Sequence, residues 1–227
     1  MKPLAIFLLL AVVQNTWAQR VEEKTIDWRK GQEVRLDFKY AQEIQIKTWD
    51  KSEVSVRVSV TINNNTLNDA WSMTTETSGD QIQVTSDFDQ ANGHFRGDCN
   101  GSNYHSDGNS FCSLIVYDIY VPEAAPLHVE TLAGDITIEG TSAAVYAKSL
   151  SGFVDADWPA QQGADVTMKS ITGEVYTNLD LVIDESERER HRRSPVGWEI
   201  EATVAGGGKK VELESISNDV YFRKAGS

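Results

Sequence analysis

Glu130-Thr-Leu-Ala-Gly134-Asp-Ile136, Lys148-Ser-Leu-Ser-Gly152-Phe-Val154, Lys169-Ser-Ile-Thr-Gly173-Glu-Val175 and Glu214-Ser-Ile-Ser-Asn218-Asp-Val220 are four versions of one segment within a chain of 227 residues. Repetition of this kind announces a stacked β architecture. It says less about function, because such repeats build a scaffold on which a site is placed separately.

The pattern holds position by position around the corner residue. Seven, five and three residues before it stand Leu127/Val129/Thr131, Val145/Ala147/Ser149, Val166/Met168/Ser170 and Val211/Leu213/Ser215. Two and four after it stand Ile136/Ile138, Val154/Ala156, Val175/Thr177 and Val220/Phe222. Alternation on both sides of a fixed turn is a strand signal with one face toward a core. The aliphatic at minus two (Leu132, Leu150, Ile171, Ile216) is expected to fill the bend. Glycine at the corner, with asparagine as its one replacement, is read as a positive φ that other residues resist. The hydroxyl at minus three is expected to stack as an inner row bonded to corner backbone groups. The first three corners are 18 and 21 residues apart, about one coil, and the last gap of 45 requires an insertion or an atypical coil.

Upstream, Val34/Leu36/Phe38, Ile44/Ile46, Val54 to Ile62, Ile82/Val84 and Leu114 to Val121 continue the alternation without the corner motif. Polar turns such as Asp50-Lys-Ser52 and Ser78-Gly-Asp80 separate them. Val121-Pro-Glu-Ala-Ala-Pro126 is a hinge, because its two prolines lack ladder donors. Residues 19–121 and 127–224 therefore read as two halves of one all-β domain spanning 19–227: a single-stranded β-solenoid, or β-helix-like stack, with Gly/Asn corners.

Lys2, the apolar run Leu4 to Val13 and Thr16-Trp-Ala18 make residues 1–18 a secretory signal, with a mature start near Gln19. That run is too short to span a bilayer, and no second one follows, so no membrane span is expected. Losing Lys2 leaves 34 acidic against 20 basic residues, a net charge of −14. Such acidity argues against nucleic acid or an anionic membrane as partner.

Val121-Pro122, a Leu-Xaa-Val-Xaa-Thr strand and Leu132-Ala-Gly134-Asp-Ile-Thr-Ile138 together resemble the bacterial putative-adhesin β-strand-repeat family, over roughly residues 25–224. The resemblance implies an exported β-solenoid of the bacterial envelope, periplasmic, surface-exposed or secreted. It brings no catalytic residues. The chain departs from the family pattern in a cysteine-bounded loop and a charged insertion.

The loop runs from Asp87 to Cys112 and holds the chain's only two cysteines, Cys99 and Cys112. In an exported protein these are expected to form a disulfide, worth about 3 kcal/mol by loop entropy. Arg96-Gly-Asp98 within it is a chance tripeptide. Asp98, Asn100, Ser102, Asp107 and Asn109 offer oxygens for calcium, but lack the glycine and closing Glu of an EF-hand; turn chemistry accounts for them. The insertion Asp184 to Pro195 alternates acid and base, reads as a solvated segment, and offers Arg192-Arg193 to proteases. Gly206-Gly-Gly-Lys-Lys210 precedes a strand rather than a helix, so it is no phosphate loop; hairpin and tight coil both remain open there.

His94, His105, His128 and His191 show no zinc spacing, and no nucleophile elbow is present. Neither a metal nor a cofactor is expected. Asp135, Asp155 and Asp157 lie on strand faces, where a glycosidase-like carboxylate pair is conceivable, but no Arg or Lys is visibly grouped with them. Trp158, Trp198, Tyr176 and Tyr221 are candidates for a sugar-binding face. The reading is a non-enzymatic envelope binding or structural module whose partner is a protein or glycan, with self-association open at uncapped ends. The alternatives are a β-helix carbohydrate-active enzyme, such as a polysaccharide lyase, and a periplasmic stress or signalling component.

Overall fold

A computed structural model describes residues 19–88, 104–106, 109–183 and 197–226, with only the backbone path for 104–106 and 109–111. The expected signal segment, 1–18, lies outside the described residues. In the first half the strands are β1 (Arg20–Asp27), β2 (Glu33–Phe38), β3 (Glu43–Trp49), β4 (Glu53–Ile62), β5 (Trp71–Ser78), β6 (Gln81–Phe88), β7 (Tyr104–Ser106), β8 (Asn109–Phe111) and β9 (Ser113–Pro122). In the second they are β10 (Leu127–Thr131), β11 (Asp135–Glu139), β12 (Val145–Ser149), β13 (Val154–Trp158), β14 (Ala164–Ser170), β15 (Val175–Thr177), β16 (Leu181–Val182), β17 (Trp198–Val204), β18 (Lys209–Ser215) and β19 (Val220–Lys224).

All but β7 and β8, which pair with each other, form two mixed sheets face to face. Sheet A runs β1-β4-β9-β3-β11-β13-β19-β15, and sheet B runs β16-β17-β14-β18-β12-β10-β2-β6-β5. Neighbours are parallel in the middle of each sheet, whereas β1, β4, β5, β16 and β17 pair antiparallel at the ends. Each corner carries the chain from sheet B to sheet A, making one rung: β2/β3, β10/β11, β12/β13, β14/β15 and β18/β19.

The expected single-stranded β-solenoid, with coils stacked in chain order, is corrected by the strand order. β18 lies between β12 and β14, and β19 between β13 and β15, so the last rung in sequence slots between two earlier ones. This resolves the 45-residue gap. After β14/β15 the chain returns as β17, antiparallel to β14, then crosses the end of β14 to enter the open slot as β18. The crossing is where glycine is needed. Ala205, Gly206, Gly207 and Gly208 all have positive φ, and a Cβ on Gly163 opposite would stand 2.0 Å from the Gly207 carbonyl oxygen. The turn is therefore neither a simple hairpin nor a coil corner. At the other end, β6 and β9 flank β2 and β3, so the N-terminal half is also out of chain order.

The core lies between the sheets. Val34, Leu36, Phe38, Ile44, Ile46, Val54, Val56, Val58, Val60, Ile62, Ile82 and Val84 are all buried, each worth about 1.5–3 kcal/mol of apolar transfer. Phe38 stacks on Tyr117 at 3.9 Å. The Tyr117 hydroxyl donates to Ser86 Oγ at 2.7 Å, and burial pushes its ionisation far up. Leu114 is instead exposed, because the inward set of β9 is Ile115, Tyr117, Ile119 and Val121.

A hydroxyl ladder runs through the corners. Ser149 Oγ accepts the Gly152 N–H at 2.8 Å and donates to the Gly134 carbonyl at 2.8 Å. Ser215 does the same between Asn218 N–H (3.0 Å) and Gly152 carbonyl (2.8 Å), and Ser170 between Gly173 N–H (2.9 Å) and Asn218 carbonyl (2.7 Å). Thr131 starts the row differently, exchanging bonds with Ala133.

Two corner expectations are corrected. Gly134 has φ +105°, but Gly152, Gly173 and Asn218 do not have a positive φ. Glycine stands at Gly152 and Gly173 because a Cβ would lie 1.9 Å from the Gly134 oxygen and 2.3 Å from the Asn218 carbonyl carbon; close approach of rungs, not handedness, selects it. Asn218 has its own reason. The residue after the corner needs an acceptor for its N–H, and Asp135 supplies it to Phe153, as Asp219 does to Glu174. The rung before Asn218 offers Phe153 there, so Asn218 Oδ1 itself takes the Asp219 N–H at 2.9 Å. Second, the aliphatics at minus two do not all fill the bend: Leu132 is 43% and Leu150 38% exposed, while Ile171 and Ile216 are half-buried. The ladder hydroxyl already occupies the inside of the turn, which sends the next side chain outward.

Candidate functional site

On the outer face of sheet A the residues at odd offsets after each corner point to solvent. Register sets Thr137, Asp155, Tyr221 and Tyr176 in one row; in the next, Lys47 pairs with Glu139 and Asp157 with Arg223. Asp155 and Asp157, both from β13, form the floor of a cleft of about 240 Å³ whose walls are Thr137 to Glu139 on one side and Arg223, Lys224 and Gly226 on the other.

The Arg223 guanidinium grips Asp155 with two parallel bonds, Nε at 2.8 Å and Nη2 beside it, the strongest form of carboxylate pairing. Even so, burial holds the Asp155 carboxyl above the usual carboxylate range, against the pull of Arg223. Burial also raises Asp157, opposed by a bond from the Gly140 N–H at 2.6 Å, while the charge on Glu139 adds to the rise. Glu139 in turn pairs with Lys47 Nζ at 3.1 Å. The cleft is thus half-dry, lined by oriented acceptors and donors in near-equal number.

Beside it lies an aromatic column. Tyr221 stacks on Tyr176 with centroids 5.2 Å apart and meets Phe153 edge-on at 6.1 Å. The Tyr176 hydroxyl donates to Glu174 at 2.6 Å, and its pKa is pushed up to about 12, chiefly by that bond. Of the four aromatics singled out in the sequence, these two belong together. Trp158 is fully buried, packed against Phe222 in the core, and Trp198 is 58% exposed on β17 of the other sheet. Asp135 does not reach the cleft either; its Oδ1 serves the corner by accepting the Phe153 N–H.

The expectation that no basic residue is grouped with acids on the repeat faces is also corrected, on both sheets. Besides Arg223, sheet B presents Lys148 at 3.1 Å and Lys169 at 3.9 Å from Glu214. It further gathers Asp37, His128 and Glu130, whose ligating atoms lie within 4.8 Å of one another. That set is already closed by protein groups. Arg35 reaches Asp37 at 3.1 Å and Glu130 at 3.5 Å, Gln83 donates to Asp37, and His128 Nε2 sits 2.6 Å from Glu130. Arg35 and Gln83 thus engage the same carboxylates that a cation would use.

Cys99, His94, His191, the Arg96–Asp98 tripeptide, Asp98, Asn100, Ser102, Asp107 and the 184–195 insertion lie outside the described residues. The loop does contain paired backbone, with β7 antiparallel to β8 from Tyr104↔Phe111 to Ser106↔Asn109; His105 and Asn109 fall on these strands. Cys112 is anchored at its backbone, its N–H on Asn63 Oδ1 at 2.9 Å and its carbonyl accepting the Asn63 N–H at 3.0 Å. Asn63, Asn64 and Asn65 all hold positive φ there, which asparagine tolerates best among residues with a Cβ.

Glu139 and Arg223 were not singled out from sequence, although the signal existed: both stand five residues after a corner, in the column of Asp157.

No protein-family model matches the chain, and no curated protein matches it. Among solved structures it is similar to a putative cell adhesion protein from Clostridium sporogenes, at 11% identity and a TM-score of 0.53, covering 91% of this chain and 100% of that one. It also aligns with a putative adhesin from Bacteroides fragilis over 92% of this chain and 98% of that one, at 8% identity and a TM-score of 0.27, too slight a likeness to bear on the fold. At 11% identity, what the chain shares with the Clostridium protein is its fold.

Proposed function

We propose that this chain is an exported, non-enzymatic, adhesin-like binding module of the bacterial envelope, and that it binds through the outer face of sheet A. The observation that carries the reading is the cleft over Asp155 and Asp157, set on a rigid parallel stack and flanked by Tyr221 and Tyr176. In the same reading residues 1–18 are removed on export, 19–227 act as one domain, and a Cys99–Cys112 disulfide closes the loop held at Asn63. The partner is a protein or glycan of the envelope.

One observation favours a second reading. Arg223 between Asp155 and Asp157 is the grouping of base and acids that a carbohydrate-active enzyme, such as a polysaccharide lyase, would need. Against it, Arg223 is held as a charged guanidinium on Asp155 through Nε and Nη2, so it cannot itself take a proton.

The test uses residues 19–227, fluorescently labelled and titrated onto washed bacterial envelopes. Saturable retention without released oligosaccharide supports the binding module. Absence of retention overturns it, and release of cleavage products transfers the assignment to the enzyme. Protease treatment of intact producing cells, read at a C-terminal tag, separates a surface location from a periplasmic stress or signalling role.

A further inference from the structure

The charge and size of the cleft narrow the class of ligand. Three carboxylates, Glu139, Asp155 and Asp157, and two cationic residues, Arg223 and Lys224, line the cleft, and Lys47 stands 3.1 Å from Glu139 at its rim, so the charges balance. An anionic ligand would meet the two half-buried aspartates, and a bare cation would meet the guanidinium, so local electrostatics favour a ligand of no net charge. The volume, about 240 Å³, is the space of about eight waters at ~30 Å³ each. That is room for one six-membered sugar ring with its hydroxyls.

Resting on the binding-module reading, we propose that the cleft on sheet A holds one neutral sugar residue of a glycan. Asp157 has one oxygen on the Gly140 N–H and no other hydrogen-bond partner among the described residues, so its second oxygen accepts from a sugar hydroxyl. Glu139 accepts from the neighbouring hydroxyl. Arg223 spends Nε and Nη2 on Asp155, which leaves Nη1 to donate to a ring or hydroxyl oxygen. A pyranose hydroxyl both donates and accepts, so it can replace the waters that these groups would otherwise order. Next to Asp155 in register, Tyr221 continues the surface toward Tyr176, which is 44% exposed, and gives the following sugar an apolar edge.

The test is calorimetry and amide chemical-shift mapping on residues 19–227. The probes are gluco-, galacto- and manno-configured neutral tetrasaccharides, a uronate tetrasaccharide, and calcium chloride alone. The expected result is that a neutral tetrasaccharide shifts amides of residues 137–140, 155–157 and 221–226. Its affinity should fall at least tenfold in Asp157→Ala and stay unchanged in Asp37→Asn on the opposite sheet. Should Asp157→Ala unfold, Asp157→Asn and Arg223→Gln carry the same comparison. Binding of the uronate or calcium in place of neutral sugar, neutral binding indifferent to Asp157 and Arg223, or no binding by any probe each overturns the inference. The two readings fail separately: envelope retention that survives Asp157→Ala removes the glycan cleft and keeps the binding module, whereas loss of retention by the unaltered protein removes both.

Discussion

Ser215→Ala removes one oxygen from the middle of the corner ladder, and the structure sets what that should cost. Ser215 is fully buried. Its Oγ accepts the Asn218 N–H at 3.0 Å and donates to the Gly152 carbonyl at 2.8 Å. Alanine leaves both backbone groups without this partner, the Gly152 carbonyl in the interior and the Asn218 N–H in a part-buried turn. An unsatisfied buried group costs about 1–3 kcal/mol; with the part-buried Asn218 N–H costing about 1 kcal/mol, at the low end of that range, the two together predict a loss of about 2–4 kcal/mol. At roughly 2–4 °C per kcal/mol for a chain of this size, Tm should drop by about 4–16 °C. Urea unfolding followed by fluorescence of the buried Trp28, Trp71 and Trp158 measures it, with the exposed Ser151→Ala as control. Ser149→Ala should behave alike. The double variant should depart from additivity by roughly 0.5 kcal/mol or more, because both hydroxyls act on the residue Gly152, one on its N–H and one on its carbonyl. A Ser215→Ala loss no larger than that of Ser151→Ala would refute the view that the ladder holds the rungs in register.

Gly152→Ala should destabilise by more than about 3 kcal/mol in the same assay, since its Cβ would stand 1.9 Å from the Gly134 oxygen and force the rungs apart. Asn218→Gly should cost about 1 kcal/mol, as it strips the Asp219 N–H of its acceptor without opening a clash. Asp157→Asn should show a pH signature: burial raises the folded-state pKa above its ordinary value of 3.8, so the stability that Asp157 contributes is full below 3.8 and lost as pH rises through the raised value. The variant should therefore gain on the unaltered protein across that window, read as unfolding free energy against pH. Arg20 donates to the carbonyls of Asn68 and Trp71, and Lys24 to that of Met73, which blunts the edge of β5; Arg20→Ala/Lys24→Ala should make sedimentation concentration-dependent.

The strands of the fold were legible because inward positions alternate without a break from Val34 to Phe38, from Val54 to Ile62 and around the corners at Gly134, Gly152 and Asn218. Strand order was not. A corner motif reports its own bend and carries no label for its neighbour, since the ladder bonds use backbone and a serine common to Ser149, Ser170 and Ser215. β12 can therefore receive β18 or β14 with the same local chemistry. The edge strand β1 was also illegible, because Arg20–Asp27 carries charged residues on both its half-buried and its exposed face and buries nothing fully.

The same ambiguity of order governs the candidate site. The parity of β13 places Asp155 and Asp157 on the outer face, but not what stands beside them. Had the rungs followed the chain, β15 would flank β13, and the register that matches Tyr176 to Tyr221 would set Tyr176 beside Asp155 and Asn178 beside Asp157. Two half-buried carboxylates would then face an amide, with no cation to balance them. Because β19 occupies that slot, Arg223 falls beside Asp157, reaches Asp155, and makes the cleft neutral. The insertion of the last rung is thus a displaced piece of topology that also builds the chemistry of the cleft, and a change that forced chain-ordered stacking would abolish the site while leaving every residue of β13 in place.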